Sequence, residues 1–372
     1  MFRRSLFSTG LLIVLVFSLS LVWSGCENSA DLTAPGVEST QDDAGFVRDV
    51  QQFESVMRLQ ERETPRIMAM PEVVGTATGL NDRGEAVIQI LTEKASPAGR
   101  LPKQIAGVEV IEVVTGKIVA MKGKPGGGGG GVSHTAIQTP PVKLGTSGGW
   151  EYDLANGYCC AGTLGSLIQS GNKQYILSNY HVLEADIVSG GNGQTATTGD
   201  PVIQPGLIDI NCNAGAAQQV ATLSVRSALP GSNVDAAVAE VLPGMVSNEI
   251  LEVGAISSST VAAFINQGVK KSGRTTGLTR SKVSGLNATV SVSYENECAG
   301  GTAFTKTFTG QIIIDNKRSR FLAGGDSGSL MVEDTETNPR AIGLLFAGSS
   351  RTAVANPIDE VLNFMNASMV GN

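Results

Sequence analysis

The chain has few of the side chains on which metal binding and nucleophilic chemistry depend. Its 372 residues include two histidines, His134 and His181, and five cysteines. The sequence contains no Cys-x-x-Cys pair and no His/Cys spacing typical of a metal site. We therefore predict no metal and no cofactor, and any chemistry that needs an imidazole base has two positions to choose from.

Charge is also scarce. Charged residues make up 16% of the chain and the formal net charge is −7, so no basic surface for nucleic acid is indicated. The 46 glycines, with many serine, threonine and valine residues, are more typical of a β-rich exported protein than of a helical cytosolic one. A length of 372 residues allows two or three domains.

The N-terminus has the pattern of an export signal. Arg3 and Arg4 precede the apolar run 11–22, which is too short to span a bilayer comfortably, and two small residues then lead to Cys26. This resembles a bacterial lipoprotein signal, which implies a signal peptide over 1–25 and a lipidated Cys26. Trp23 departs from that pattern, which usually has leucine there. The alternative is an ordinary secretory signal with Cys26 incidental.

The protein is expected to be exported under either interpretation. We expect it in a bacterial cell envelope, lipid-anchored at Cys26 and either periplasmic or on the outer surface, or else secreted. The remaining cysteines would then meet an oxidising compartment, where disulfides form. They allow three pairings. Adjacent cysteines would close a strained ring, so we expect each to pair at a distance. These four are Cys159, Cys160, Cys212 and Cys298.

A tether and a small domain come after the signal. Residues 27–44 are polar and small, as in a flexible spacer. Apolar residues then recur at helical spacing, and Pro65 is expected beyond the end of that helix. Strand patterns continue to Met121, so 45–121 is predicted to be a small α+β domain. This domain either regulates, inhibits or chaperones the larger C-terminal domain, or is only a stalk. The helical positions are Phe46, Val50, Phe53 and Met57.

Six consecutive glycines, Gly126–Gly131, mark a domain boundary. Such a run does not suit a packed element, because glycine loses the most conformational entropy on ordering. We predict a linker over 122–139 and a solvated histidine at His134 within it. The rest, 140–372, alternates strand patterns with glycine, asparagine and serine clusters, and this suits two packed β-barrels or a large sandwich. One helix face is predicted near the C-terminus, at Ile358, Val361, Leu362 and Met365.

Three residues in this last domain form a candidate catalytic set. His181 directly follows an apolar strand, where an imidazole is held firmly enough to act as a base. Asp235 begins another apolar strand and can be buried against the imidazole. Ser327 lies in the glycine loop 324–329 (GGDSGS), which presents a side chain in a sharp turn. A serine needs such a base to become a nucleophile.

This order of His, Asp and Ser, in these settings, resembles the chymotrypsin-like or trypsin-like serine proteases over about residues 155–366. Gly273–Gly277 (GRTTG) and Asn356–Ile358 (NPI) are similar to bacterial members. Residues 178–180 (SNY) depart from the Thr-Ala-Ala/Gly that commonly precedes the histidine. The resemblance implies a mainly β fold: two antiparallel β-barrels of chymotrypsin type with a C-terminal helix, here preceded by the small α+β domain. The protease domain would span 140–372.

The resemblance also implies roles. The chain would be a serine endopeptidase acting on proteins or peptides through an acyl-enzyme, with His181, Asp235 and Ser327 catalytic. The backbone N–H groups of Gly325 and Ser327 would stabilise the oxyanion. Glu184 and Asp186, just after the histidine, are expected to be solvated loop acids.

A substrate pocket is implied on either side of Ser327. Phe321 would lie on one wall, and Phe346, Ala347 and Gly348 on the other. Phe321 occupies the position where an acid would select Arg or Lys, so a hydrophobic or small side chain is the better expectation. The two phenylalanines are equally compatible with plain core positions.

Other interpretations stay open. The glycine loop can be an ordinary turn, Asp235 the start of a hairpin, and His181 a structural histidine. A catalytically silent binding protein on a protease scaffold, or an esterase with the same triad, would share these residues. An α/β-hydrolase is disfavoured, because its triad order is Ser, Asp, His and its Gly-x-Ser-x-Gly motif fails here at Ser329.

Overall fold

The computed structural model describes residues 50–120, 132–155, 158–184, 196–225, 229, 231–294, 304–317 and 320–372. The predicted signal peptide, Cys26, the tether and the glycine run lie outside these residues. Within them, no helix combines the length and apolar character needed to cross a membrane. The described residues all belong to one compact unit.

The N-terminal part begins with helix α1 (Val50–Met68). Pro65 lies inside this helix, so the prediction that it lies beyond the end was wrong. Proline in a helix interior removes a backbone hydrogen bond. Here Ile67 exposes none of its surface, and its burial holds the last turn in place. Five strands come next: β1 (Val73–Leu80), β2 (Ala86–Thr92), β3 (Gln104–Ile105), β4 (Val108–Val114) and β5 (Val119–Ala120).

The strands of the next part are β6 (Val142–Leu144), β7 (Thr146–Trp150), β8 (Leu154–Ala155), β9 (Tyr158–Cys159), β10 (Gly162–Leu164), β11 (Ser166–Ser170), β12 (Lys173–Ser178), β13 (Pro201–Gln204), β14 (Gln218–Ser224), β15 (Ala237–Val241), β16 (Val246–Ile250) and β17 (Gly254–Ala255). One-turn helix α2 (Tyr180–Leu183) follows β12. Two 3-10 turns, Leu207–Ile210 and Ala214–Ala216, lie before β14.

The first barrel is a sheet that closes on itself at Gly165. Its strands run in the order β10, β7, β13, β14, β15, β12, β11. The strands at the two ends of this order, β10 and β11, are consecutive in the chain and separated only by Gly165. The Gly165 amide donates to the Leu177 carbonyl at 3.0 Å. The extended run 162–170 is therefore divided into two strands where the ring closes.

The second barrel is also a ring. Its strands are β18 (Gly268–Gly273), β19 (Gly277–Tyr294), β20 (Phe304–Asp315), β21 (Leu330–Glu333), β22 (Ala341–Gly348) and β23 (Thr352–Pro357). They run in the order β18, β21, β22, β23, β20, β19, and β19 pairs back to β18. Every pairing in this ring is antiparallel.

Helix α3 (Ile358–Met365) closes the fold and buries the four apolar side chains that the sequence pattern predicts, Ile358, Val361, Leu362 and Met365. Strand β24 (Ser368–Met369) then pairs with β11. Two antiparallel barrels with a C-terminal helix, preceded by a small α+β part, confirm the chymotrypsin-type fold that the resemblance implies.

The α+β part shares a sheet with the second barrel. Strand β19 has 18 residues; its first part pairs with β18, and Gly75 and Thr76 of β1 pair with Val290 and Thr289 farther along it. The sheet continues from β1 through β2 and β4 to β3. The predicted domain boundaries stay predictions, but a continuous sheet runs across the one placed after residue 121.

Two predictions about cysteine and histidine have different outcomes. Cys159 is bonded to Cys212, 53 residues away, which confirms the expected long-range pairing for this cysteine. Cys160 is also disulfide-bonded, and Cys298 lies outside the described residues. His134 is not solvated: it is buried, with its ring nitrogens 2.9 Å from the Gly145 carbonyl and 2.6 Å from the Glu252 carboxylate. These two acceptors hold the histidine against the first barrel.

Candidate active site

His181 lies in the single turn α2, where the chain leaves β12. Its ring nitrogen Nδ1 lies 2.6 Å from Asp235 Oδ2, and its backbone N–H donates to Asp235 Oδ1 at 3.3 Å. Both side chains are buried. A carboxylate accepts hydrogen bonds, so Nδ1 carries the proton and Nε2 is left as the basic nitrogen.

Asp235 is held by partners from three separate elements. The Asp235 backbone N–H donates to Asn356 Oδ1 at 2.9 Å, and Asn179 Nδ2 donates to the Asp235 carbonyl at 2.6 Å. The Tyr294 hydroxyl donates to Asp235 Oδ2 at 2.8 Å, the same oxygen that faces His181. Burying a carboxylate is costly unless it is paired and hydrogen-bonded, and these contacts meet that requirement.

The Tyr294 hydroxyl responds to the same surroundings. Burial, and next the negative charge of Asp235, raise the pKa of Tyr294 well above its ordinary value. Tyr294 therefore stays a neutral donor to the carboxylate at any physiological pH.

The glycine loop 324–329, which carries the candidate nucleophile and is called the nucleophile loop below, requires glycine at two positions. Gly325 and Gly328 have φ values of 98° and 90°, which residues with a Cβ rarely adopt. A Cβ at Gly328 would also lie 2.2 Å from Ser178 Oγ and 2.3 Å from the Thr163 carbonyl. The loop thus packs directly on the first barrel, and the Thr163 N–H donates to the Ser327 carbonyl at 2.8 Å.

Asp326, next to the candidate nucleophile, is a second buried carboxylate. Its oxygens accept from the backbone N–H groups of Thr275, Thr276 and Ala323 at 2.9, 3.1 and 2.9 Å. Lys271 Nζ lies 3.3 Å from Asp326 Oδ2, and both side chains are fully buried. Burial lowers the pKa of Lys271, and the charge of Asp326 opposes that effect. Asp326 therefore fixes the loop to Lys271 and to the segment 275–276.

Part of the motif Gly273–Gly277 serves a different contact. Arg274 binds Asp209 through two nitrogens, with Nε to Oδ2 at 2.7 Å and Nη2 to Oδ1 at 2.5 Å. Asp209 also accepts from Ser147 Oγ at 2.5 Å. Because Arg274 belongs to the second barrel's chain and Asp209 to the first, this pair joins the two barrels.

The loop that carries Ser327 and the turn that carries His181 meet around Gly162. A Cβ there would lie 2.5 Å from a methyl of Val182, the neighbour of His181, and 3.0 Å from the Ser327 carbonyl. The Ser327 hydroxyl, however, donates to the Phe346 carbonyl at 3.2 Å. His181 Nε2 is buried without a hydrogen-bond partner among the described residues. The Ser327 hydroxyl is therefore not hydrogen-bonded to the imidazole in this structure.

The predicted oxyanion groups are backbone amides in the same loop. Within the described part of the chain, neither the Gly325 N–H nor the Ser327 N–H donates to another residue, whereas the intervening Asp326 N–H donates to the Ala323 carbonyl at 3.0 Å. The N–H groups of Gly325 and Ser327 are therefore available as hydrogen-bond donors, which is compatible with a site for a developing oxyanion.

The predicted pocket residues are divided between two core clusters. Phe321 is fully buried in the core of the second barrel that also includes Ile88. Phe346 and Ala347 are buried in a different cluster with Tyr294. Gly348 pairs with Val119. The structure thus places Phe321, Phe346 and Ala347 in the core, which is the alternative left open for the two phenylalanines.

One predicted surface acid is not on the surface. Glu184 is 4% exposed, so the expectation of a solvated loop acid was wrong for this residue. Its backbone N–H donates to the Tyr180 carbonyl at 2.9 Å, which ends the turn α2 and draws Glu184 inward. Asp186 lies outside the described residues.

Sequence reasoning missed several residues that support the site. Tyr294 and Lys271 occupy strands with no motif of their own. Asn179 was noted only as a departure from the expected residues before the histidine, and that departure was the available signal. Asn356 lies in the quoted Asn-Pro-Ile stretch, but nothing in the sequence connects it with Asp235.

One family model matches part of the chain. Residues 223–356, which include Asp235 and Ser327 but not His181, match the model of the Nal1 C-terminal domain family. No curated protein matches the chain.

Solved structures similar to the chain include serine proteases. A glutamic acid-specific serine protease is 16% identical, with 62% of this chain and 100% of that chain covered and a TM-score of 0.41. Thermobifida fusca protease A is 18% identical, with 62% and 99% covered and a TM-score of 0.39. Cellulomonas bogoriensis chymotrypsin is 20% identical, with 56% and 91% covered and a TM-score of 0.35. At these values the likenesses carry no argument about activity or specificity.

Proposed function

We propose that the chain is a serine-type endopeptidase that cleaves peptide bonds through an acyl-enzyme on Ser327. The observation that supports this most is the 2.6 Å contact between His181 Nδ1 and Asp235 Oδ2, which leaves Nε2 as a buried base with no described partner. The nucleophile loop meets the turn that carries this base at Gly162.

The first chemical step transfers one proton. Ser327 Oγ turns from the Phe346 carbonyl toward His181 Nε2, gives up its proton there and forms a bond to the scissile carbonyl carbon. The carbonyl oxygen becomes an oxyanion that the N–H groups of Gly325 and Ser327 can bind, a contribution of about 3–4 kcal/mol for one donor in comparable enzymes. Asp235 stabilises the imidazolium without accepting its proton.

The remaining steps return the site to its starting state. His181 Nε2–H protonates the leaving amine as the C–N bond breaks, which leaves the acyl group on Ser327. Water then adds to the ester carbon and gives a proton to Nε2, and the C–Oγ bond breaks as that proton returns to Ser327.

The test is labelling with a fluorophosphonate, which reacts with serines activated in this way. We expect one adduct, mapped to Ser327 by mass spectrometry, in the wild-type chain and none in Ser327→Ala. Because Ser327 is fully buried, the variant Ile118→Asp, which disturbs the apolar cluster around Phe346, is labelled alongside. An unlabelled Ser327 in both the wild type and Ile118→Asp, each shown to be folded, contradicts the proposal.

One observation favours the catalytically silent alternative. Ser327 is fully buried, and its hydroxyl is hydrogen-bonded to Phe346 instead of His181. A silent scaffold would keep that arrangement permanently and would take no label. An esterase would take the label, so digestion of a peptide mixture separates it from an endopeptidase: we expect internal peptide bonds to be cut.

A further inference from the structure

Residues 115–120, here called the inserted segment, lie between two strands of the second barrel. Val119 and Ala120 form strand β5, which pairs antiparallel with Gly348 and Ala347 of β22. On its other side, Val119 pairs in parallel with Ser293 at the end of β19. A piece of the N-terminal part is therefore built into the barrel that carries Ser327.

The inserted segment is anchored at both ends. Ile118 is 1% exposed and packs in the cluster that contains Tyr294 and Phe346. The Ser293 N–H donates to the Ile118 carbonyl at 3.0 Å, and Ser349 Oγ donates to the Thr115 carbonyl at 2.6 Å. Most of these contacts use backbone groups of the segment, so another extended peptide could make them as well.

Strand β5 of the inserted segment runs along β22 toward the residue that contacts Ser327. Ala120 lies opposite Ala347, and the preceding residue of β22, Phe346, accepts the Ser327 hydroxyl through its carbonyl. Because strands β5 and β22 are antiparallel, a peptide that continued past the Ala120 position would come opposite Phe346. The edge of β22 is thus a place where backbone hydrogen bonds would hold an extended peptide beside Ser327.

The same geometry closes the site in the intact chain. Ser327 and Ala347 expose none of their surface and His181 only 3%. An edge that already pairs with β5 has no free backbone groups at these positions for a second peptide.

We propose that the inserted segment occupies a peptide-binding edge of β22, so that the intact chain blocks its own Ser327. When the segment leaves this edge, an extended peptide with small and β-branched residues binds in its place. The consequence for catalysis rests on the proposed function, whereas the occupancy of the edge does not.

The test uses the full chain with Ile118→Asp, which puts a charge into the cluster and expels the segment. Val108→Asp is the control, because it introduces the same charge at a half-buried position of β4, which packs against a different apolar cluster from that of Ile118. Two quantities are measured: the rate of fluorophosphonate labelling at Ser327, and binding of a fluorescent synthetic peptide with the sequence of residues 113–120 (VVTGKIVA). If Ile118→Asp does not fold, the half-buried Val119→Pro replaces it, since proline removes a strand N–H.

We expect labelling of Ile118→Asp to be at least about tenfold faster than labelling of the wild type and of Val108→Asp, because a site that is open a small fraction of the time reacts in proportion to that fraction. We expect the peptide to bind the variant more tightly than the wild type. Equal labelling rates in variant and wild type overturn the inference and leave the proposed function standing, because Ser327 is then reactive in both.

If neither the wild type nor the variants are labelled, the peptide-binding measurement distinguishes the remaining outcomes. Tighter binding to Ile118→Asp then supports an occupied edge and contradicts the proposed function. Equal binding overturns both.

Discussion

At the scale of single residues, Asp235 Oδ2 is the atom on which the candidate site depends. It faces His181 Nδ1 at 2.6 Å and accepts from the Tyr294 hydroxyl at 2.8 Å. Two hydrogen-bond donors restrict the position of Asp235 Oδ2 more than a single donor would. This oxygen in turn orients the imidazole of His181. In the proposed mechanism Tyr294 is therefore a positioning residue that acts through Asp235.

Tyr294→Phe should slow labelling of Ser327 without unfolding the chain. A hydrogen bond to a charged group contributes about 1.5–3 kcal/mol, and we expect part of this to appear as a fall of about tenfold in the labelling rate. Tyr152→Phe is the control, since Tyr152 is 43% exposed and lies outside the site. An equal loss of rate in both variants would contradict the positioning role.

The same variant has a signature in alkaline solution. Burial and Asp235 raise the pKa of Tyr294 in the folded chain, while in the unfolded chain it keeps its ordinary value near 10. Above that pH the unfolded state loses the proton and the folded state keeps it, so the free energy of unfolding falls as pH rises. Tyr294→Phe should make this fall shallower in urea titrations between neutral and alkaline pH. A fall of unchanged steepness would show that Tyr294 is not the buried group responsible.

The sequence was informative about the candidate catalytic residues and uninformative about the residues that hold them in place. Ser327 is marked by its glycines and Asp235 by the start of a strand, and both signals are local. Tyr294 reaches Asp235 from 59 positions away, a contact that no local pattern encodes. His134 was mispredicted because it is close to a glycine run, although its neighbours Gly145 and Glu252 are brought to it by the fold.

At the scale of elements, the closure of the first barrel and the nucleophile loop meet at Gly165. A Cβ at this position would lie 2.0 Å from the Gly328 carbonyl and 2.8 Å from the Leu177 carbonyl. Both are backbone atoms, which have less freedom to move aside than a side chain.

Gly165→Ala should therefore displace the loop that carries Ser327 and abolish its labelling, with a loss of stability of about 1–3 kcal/mol from overpacking. The measurements are the labelling rate and the urea midpoint. Gly149→Ala is the control, because the nearest atom to its Cβ would be 3.6 Å away in the same barrel. Full labelling of Gly165→Ala would mean that the loop does not depend on this contact.

Element types were more predictable than their ends. The C-terminal helix follows from periodicity, because one of its faces is buried. The extension of α1 through Pro65 and the break at Gly165 depend on tertiary packing, which outweighs local preference at both places.

At the scale of the whole molecule, the N-terminal part and the second barrel are one sheet. The long strand β19 pairs with β18 in the ring and with β1 outside it. Gln60 Nε2 of α1 donates to Thr76 Oγ1 of β1 at 2.6 Å, and Asn287 of β19 donates to Gln60 at 3.1 Å. Pairing across more than 200 positions of chain could not be read from the sequence, which suggested separate domains. It is also the reason why point variants, and not truncation, are the right probes of the inserted segment.

The proposed function depends most on Ser327, His181 and Asp235 acting as one catalytic unit. The most direct measurement is the rate of fluorophosphonate labelling at Ser327 in Asp235→Asn, compared with the rate in the chain that keeps Asp235. Both proteins carry Ile118→Asp, and both are shown to be folded. An amide in place of the carboxylate leaves the shape of the site but holds the wrong tautomer of the imidazole. We expect the rate to fall by about 10³–10⁴-fold. An unchanged rate, or an adduct on another residue, would contradict the claim.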